Sequence, residues 1–286
     1  MLRKAALQDI AEYGDFAYHM ALDQTKSCYP IYADGIKSKE DFIADAENGV
    51  TKENSELLLF LSDGIVEGFI KYEWLAEDNY LQLTMCNIRE GTTQALTELL
   101  SLLNERFSGY TLYFGFPEAN TDAVRFLSEN GFTCLEEAWN HSFFFDDYTF
   151  LPEDKNTVLI NRENFDDFRK VYQPDAETYW NCDRIFECLE DWTIFVYYQD
   201  GTPAGTIFLQ GGGRYYEGYY EIFGIAFADD KYQEEACHAL LTAALNHCKR
   251  NGAKYMTFLC EEMFQKILQK LGFHFVGKYV CYIRTL

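Results

Sequence analysis

The stretch Glu56-Leu-Leu-Leu-Phe-Leu-Ser-Asp-Gly-Ile-Val-Glu-Gly-Phe-Ile-Lys-Tyr72 reads as an apolar strand, an Asp63-Gly64 turn and a second strand. Thr193-Ile-Phe-Val-Tyr-Tyr-Gln-Asp-Gly-Thr-Pro-Ala-Gly-Thr-Ile-Phe-Leu209 repeats the design. Asp63-Gly64-x-x-x-Gly68 matches Asp200-Gly201-x-x-x-Gly205 at an offset of 137 residues. Asp-Gly supplies the positive φ that a two-residue hairpin turn needs, and the next Gly suits a bulge or a close approach of backbones. The same hairpin twice in one chain predicts an internal repeat.

The flanks repeat as well. Apolar residues at 95, 96, 99, 100, 103 and 107 form one helical face, and those at 236, 237, 240, 241, 244, 245 and 248 form another. Each helix leads into a strand, Tyr110-Thr-Leu-Tyr-Phe114 or Tyr255-Met-Thr-Phe-Leu259, and then into a short helix closed by Gly131-Phe132 or Gly272-Phe273. Gly after a last turn is the left-handed cap, and the following Phe folds back onto the helix. The strand-helix-strand unit in each half implies parallel pairing with a right-handed crossover. A polar stretch, Leu151-Pro-Glu-Asp-Lys-Asn156, separates the halves, so two α/β domains with mixed sheets are expected over residues 1–150 and 151–286.

With 286 residues, 48% of them hydrophobic and 17% aromatic, the chain holds enough apolar side chain for two cores. No apolar run approaches the length of a membrane span, and the start, Met1-Leu-Arg-Lys-Ala-Ala-Leu-Gln-Asp9, lacks a secretory leader's apolar stretch. A cytoplasmic protein is expected. The nine scattered cysteines form no CxxC pair and the five histidines no HExxH, so neither disulfides nor a metal site is expected. The net charge of −22 argues against nucleic acid and anionic membranes as partners. Residues 1–150 alone carry −16, which reads as a solvated acidic surface or as a cleft that attracts a cationic amine or basic peptide.

The order of these pieces resembles the GCN5-related N-acetyltransferase (GNAT) superfamily twice over, across nearly the whole chain. The most specific match is Asn120-x-x-Ala123-x-x-x-Leu127-x-x-x-Gly131-Phe132. The resemblance implies two tandem acyl-CoA N-acyltransferase domains and transfer of an acyl group from acetyl-CoA to an amine, on a small molecule or a peptide, without a metal. It implies that backbone of a splayed strand, Leu83 to Cys86 with Met85, meets the pantetheine arm. The loop from Arg89 through Gly91, Thr92 and Thr93 then opens a helix toward the pyrophosphate. Asn120 resembles the coenzyme-proximal asparagine, and it also reads as a helix N-cap. Glu221, in Tyr219-Tyr-Glu-Ile-Phe-Gly-Ile225, lies where relatives often place the general base, a place taken by Tyr80 in the first half; Glu73 is the substitute there.

Both halves depart from the family pattern. The second coenzyme loop, Tyr232-Gln233-Glu234-Glu235-Ala236-Cys237, puts Glu235 and Cys237 where glycines belong, beside Asp229 and Asp230. The first lacks the glycines but carries no charge from Gly91 to Thr93. The tyrosine that often protonates the leaving thiolate is Leu127 or Leu268. The expectation is therefore coenzyme in the first domain only. The alternative is a lapsed binding or assembly module. Gly211-Gly-Gly-Arg214 reads as a hairpin tip, and Phe143-Phe-Phe145 and Tyr215-Tyr216 as packing. The acceptor and the oligomeric state are not encoded legibly.

Overall fold

Asp63 and Gly64 adopt φ of 50° and 80°, and Asp200 and Gly201 adopt 51° and 78°. Both hairpins thus turn through the left-handed pair whose twist matches that of the strands. The computed structural model describes residues 1–175, 178–211, 217–229 and 233–286. It divides into two compact units, Met1–Ala138 with Val276–Leu286, and Trp139–Phe275.

In chain order the elements are β1 (Leu2–Lys4), α1 (Leu7–Ala21), α2 (Lys39–Thr51), β2 (Ser55–Ser62), β3 (Ile65–Leu75), β4 (Tyr80–Ile88), α3 (Thr92–Arg106), β5 (Thr111–Pro117), α4 (Thr121–Glu129) and β6 (Thr133–Phe144). They continue with β7 (Thr157–Leu159), α5 (Phe165–Val171), α6 (Cys182–Glu187), β8 (Trp192–Gln199), β9 (Thr202–Gly211) and β10 (Tyr219–Phe227). The last are α7 (Glu234–Arg250), β11 (Tyr255–Cys260), α8 (Gln265–Lys270) and β12 (His274–Thr285).

The strand order in the first unit is β1-β2-β3-β4-β5-β12, and in the second β7-β8-β9-β10-β11-β6. Pairing is antiparallel except β4 with β5 and β10 with β11. The closing strand of each sheet is therefore not the one that follows it in sequence. Tyr279–Thr285 pair with β5 and Trp139–Phe144 with β11, so the expected boundary at 150/151 falls inside the second unit. An apolar edge needs some strand beside it, and nothing in local alternation says which one.

The hairpins agree in register down to their irregularities. The pairing shifts after Phe60 in one and after Tyr197 in the other, again 137 residues apart. Gly68 is required by contact, since a Cβ there would lie 1.9 Å from the carbonyl oxygen of Asn87. Apolar side chains fill both faces of each sheet, which explains the near-continuous hydrophobic runs. In the first unit Leu58, Phe60, Ile70 and Phe114 pack against Leu96, Leu99 and Leu103 of α3, while Leu57, Leu59 and Phe69 meet Ile10, Ala17 and Phe42 of α1 and α2. In the second, Ile207, Leu209 and Ile222 meet Leu240, Leu241 and Leu245 of α7, and Ile194, Val196 and Phe208 meet Phe165, Phe168 and Ile185. Gly131 and Gly272 close α4 and α8 at positive φ, with the Phe132 and Phe273 amides donating back to Leu127 and Leu268. No helix among the described residues is long and apolar enough to cross a membrane.

Candidate functional site

Both parallel pairs come apart. β4 and β5 pair only from Tyr80–Gln82 against Thr111–Tyr113, although β4 runs on to Ile88 and β5 to Pro117. β10 and β11 pair from Tyr219–Ile222 against Tyr255–Phe258, and β10 continues to Phe227. A bulge on the other edge accompanies each split, at Thr84 in β4 and at Phe223 in β10. A gap between diverging strands leaves backbone groups for something else to meet.

In the first unit that something is the chain itself. The Ile88 amide donates to the carbonyl of Lys26 at 3.0 Å, and the Tyr29 amide donates to the carbonyl of Gly115 at 2.9 Å. Residues 26–29 thus bridge the two strands where they part. Ser27 and Cys28 are buried there, as are Leu83, Met85 and Cys86. Burial pushes the Cys86 thiol up to about 12 and the Cys28 thiol well above the ordinary thiol range. The residues expected to meet the pantetheine arm are buried beside this segment.

The other first-unit candidates are likewise engaged. Asn120 Nδ2 donates to the Ser27 carbonyl at 3.0 Å, and its Oδ1 caps α4 by accepting from the Ala123 amide. Asn120 is thus the N-cap of α4. Arg89 makes a two-pronged ion pair with the buried carboxylate of Glu67, both bonds at 2.9 Å, and stacks over the Phe16 ring. Gly91 opens α3 at φ 80°, Thr92 is buried and Thr93 is exposed. Lys71, only 1% exposed, donates to Glu73 at 2.5 Å and to Asp45 at 2.7 Å, so Glu73 balances a buried cation. That carboxylate is therefore already engaged by the chain's own ammonium. Leu127 and Leu268 are both fully buried.

The second unit is built on the same frame with different contents. The residues after its bulge, Gly224, Ile225 and Ala226, are half-exposed, whereas Met85, Cys86 and Asn87 at the same register are buried. Glu221 lies in a cross-strand row, Trp192–Gln210–Glu221–Thr257, that shares one sheet face. Counted from the hairpin and the bulge, the corresponding row is Ser55–Glu73–Gln82–Tyr113. Gln82, not Tyr80, therefore stands where Glu221 does; the Tyr80 hydroxyl donates to Gln82 Oε1 at 2.9 Å. Carboxylate and amide have changed places between the rows, and Phe208 stands where Lys71 is.

At the start of α7, Glu234 pairs with Lys270 at 2.9 Å, and that ammonium holds the carboxyl below the ordinary glutamate range. Glu234, Glu235, Glu153 and Asp154 line a cavity of about 640 Å³ together with His238 and Lys270. Gln233 donates to Asp229 at 3.2 Å. Asp230, Tyr232, and residues 212–216, which include Arg214 and the Tyr215-Tyr216 pair, lie outside the described residues. The buried His141–Cys260 pair, 3.6 Å apart, is not a nucleophile couple: burial pushes the thiol up to about 12 and lowers the imidazole. No group of three or more His, Cys, Asp or Glu among the described residues is placed to hold a metal.

No protein-family model matches the sequence, and no curated protein matches it. Solved structures do. The chain is similar to a GCN5-related N-acetyltransferase from Sphaerobacter thermophilus at 16% identity, covering 99% of this chain and 95% of that one with a TM-score of 0.63. It is similar to a tandem GNAT protein from the clavulanic acid biosynthesis pathway at 12% identity, over 99% and 98% of the two chains, with a TM-score of 0.52. A GNAT-family acetyltransferase from Colwellia psychrerythraea matches at 13% identity over 100% of both chains, with a TM-score of 0.52.

Proposed function

We propose that this chain, which carries the GNAT fold in both units, is an acyl-CoA-dependent N-acyltransferase working in its second unit. The acceptor is a small cationic or neutral amine, and acetyl-CoA is the acyl donor. The observation that carries the reading is the asymmetry of the two splits. Residues 26–29 fill the first, and the half-buried residues Gly224–Ala226 border the second. This reverses the expectation that coenzyme enters the first half.

Glu221 takes the ammonium proton of the acceptor, directly or through water. The free amine attacks the thioester carbonyl, the N–C bond forms and the C–S bond breaks. The second proton, lost from nitrogen as the amide forms, goes to solvent, and the departing thiolate is protonated by water, since Leu268 stands where a phenol would. A general base of this kind supplies about 10²–10⁴-fold in rate.

A second reading has its own support. The carboxylates at the start of α7 oppose a pyrophosphate, which favours a unit that has kept an amine-binding cleft without the transfer reaction. Calorimetry with acetyl-CoA separates the two. The transferase reading expects one coenzyme per chain, lost in Gly224→Val and kept in Thr93→Glu. No binding at millimolar coenzyme leaves the second reading.

A further inference from the structure

Gln210 is 1% exposed, and neither its Oε1 nor its Nε2 has a hydrogen-bond partner. Its cross-strand neighbour Trp192 is also buried, with an equally unpartnered Nε1. The other buried orphans among the described residues are isolated single atoms: the hydroxyls of Ser55, Thr84, Thr157 and Thr242, and one amide oxygen of Asn140. Here three polar atoms on adjacent residues are left unsatisfied beside Glu221. Buried polar groups are costly without partners and are almost always paired, so such a cluster calls for a missing occupant.

The surroundings say what the occupant is. Trp192 packs at 5.0 Å from the Phe223 ring, 5.2 Å from Trp180 and 5.9 Å from Phe208, so its neighbourhood is aromatic. An indole N–H only donates, and an amide both donates and accepts. A hydroxyl is the group that can accept from the indole or amide N–H while donating to Gln210 Oε1. A carbonyl leaves that oxygen unpaired, and so does an ionised carboxylate, since both only accept. The first unit shows the contrast. At the position of Gln210 it has Glu73, satisfied by Lys71, and its Gln82 is bonded to Tyr80.

We propose that Gln210 and Trp192 form the acceptor-recognition subsite of the second unit, selective for an amine that carries hydroxyl groups near its nitrogen, of the amino-alcohol and amino-sugar class. The assignment rests on the transferase reading for its chemistry but not for its binding. Gln210 and Trp192 are positioning residues that hold the acceptor beside Glu221.

The test uses the full chain, with D-glucosamine, D-glucose, L-glutamate and 1,5-diaminopentane as probes. Binding is followed by tryptophan fluorescence with and without CoA, and transfer by acetyl-CoA consumption. D-Glucosamine is expected to bind at least tenfold more tightly than the other three. Gln210→Leu is expected to weaken its binding or raise its KM about tenfold, with kcat and acetyl-CoA affinity kept. The free variant should melt no lower than the parent, because an unsatisfied amide has been removed. Trp192→Phe, which keeps the ring and loses the N–H, should act in the same direction.

Equal affinity for diaminopentane, or an unchanged KM or Kd in both variants, overturns the proposal. So does a lower melting temperature with uniform loss across all amines. If D-glucosamine binds in a Gln210-dependent way while acetyl-CoA neither binds nor is consumed, the subsite stands and the transferase reading falls.

Discussion

The Ile88 amide donates to the Lys26 carbonyl at 3.0 Å, a bond from the far end of β4 to a loop more than sixty residues earlier in the chain. Together with the Tyr29–Gly115 bond it turns an open split into a filled one. Cys28 and Cys86 are sealed beneath it.

Thiol accessibility follows from this. With burial raising Cys28 and Cys86 and covering both, neither should react with iodoacetamide at pH 8 in the native protein, whereas the exposed Cys134 should. Peptide mass spectrometry reads the order of labelling. Native modification of Cys28 at the rate of Cys134 would show that the loop does not stay in the split.

Glu221→Gln is expected to lower kcat at least about 10²-fold. Glu73→Gln should leave kcat unchanged, since that carboxylate serves Lys71. Steady-state kinetics on both variants decides between the two carboxylates, and equal losses would contradict the assignment to the second unit.

The start of α7 sets coenzyme affinity in the same reading. Glu235→Gly removes a carboxylate close to the expected phosphate position, and acetyl-CoA should bind roughly tenfold more tightly, less so as salt rises. Thr93→Glu, beside the filled split, should change nothing. A calorimetric titration in which Thr93→Glu alone weakens binding would return the coenzyme to the first unit.

A buried network in the first unit carries a pH signature. The Tyr72 hydroxyl and Arg106 both donate to Glu56, and Lys4 lies 3.2 Å from its other oxygen. Burial alone would raise the Glu56 carboxyl, but these donors outweigh it and hold the group below the ordinary glutamate value of 4.5. A depressed folded value means the network stabilises the protein fully above that range and loses its contribution as pH falls through it. Tyr72→Phe should cost about 2 kcal/mol at pH 7. That difference should shrink below pH 4.5, as followed by urea denaturation; a penalty independent of pH would rule the linkage out.

The high negative charge bears on the acceptor. With −22 on the chain, cationic amines should gain in apparent affinity at low salt and lose that advantage above physiological ionic strength. Acidic amines are expected to be poor acceptors at every salt concentration, measured as kcat/KM.

By itself the sequence determined the repeated frame. Asp63-Gly64 and Asp200-Gly201 set their turns through their own φ angles, Gly131 and Gly272 stop their helices, and the apolar stripes of α3 and α7 choose their faces. All of these are relations among residues a few positions apart, so they are visible without a fold. Only the tertiary structure decided that β12 closes the first sheet and β6 the second, because an alternating strand suits any open edge. It also decided that Lys26–Tyr29 fill one split, that Lys71 claims Glu73, and that Gln210 and Trp192 are left without partners. A glutamate or a glutamine looks the same in a strand whether it is paired or idle. Its chemistry depends on the charge, burial and hydrogen bonds that distant residues bring to it, and those come into being only when the chain folds.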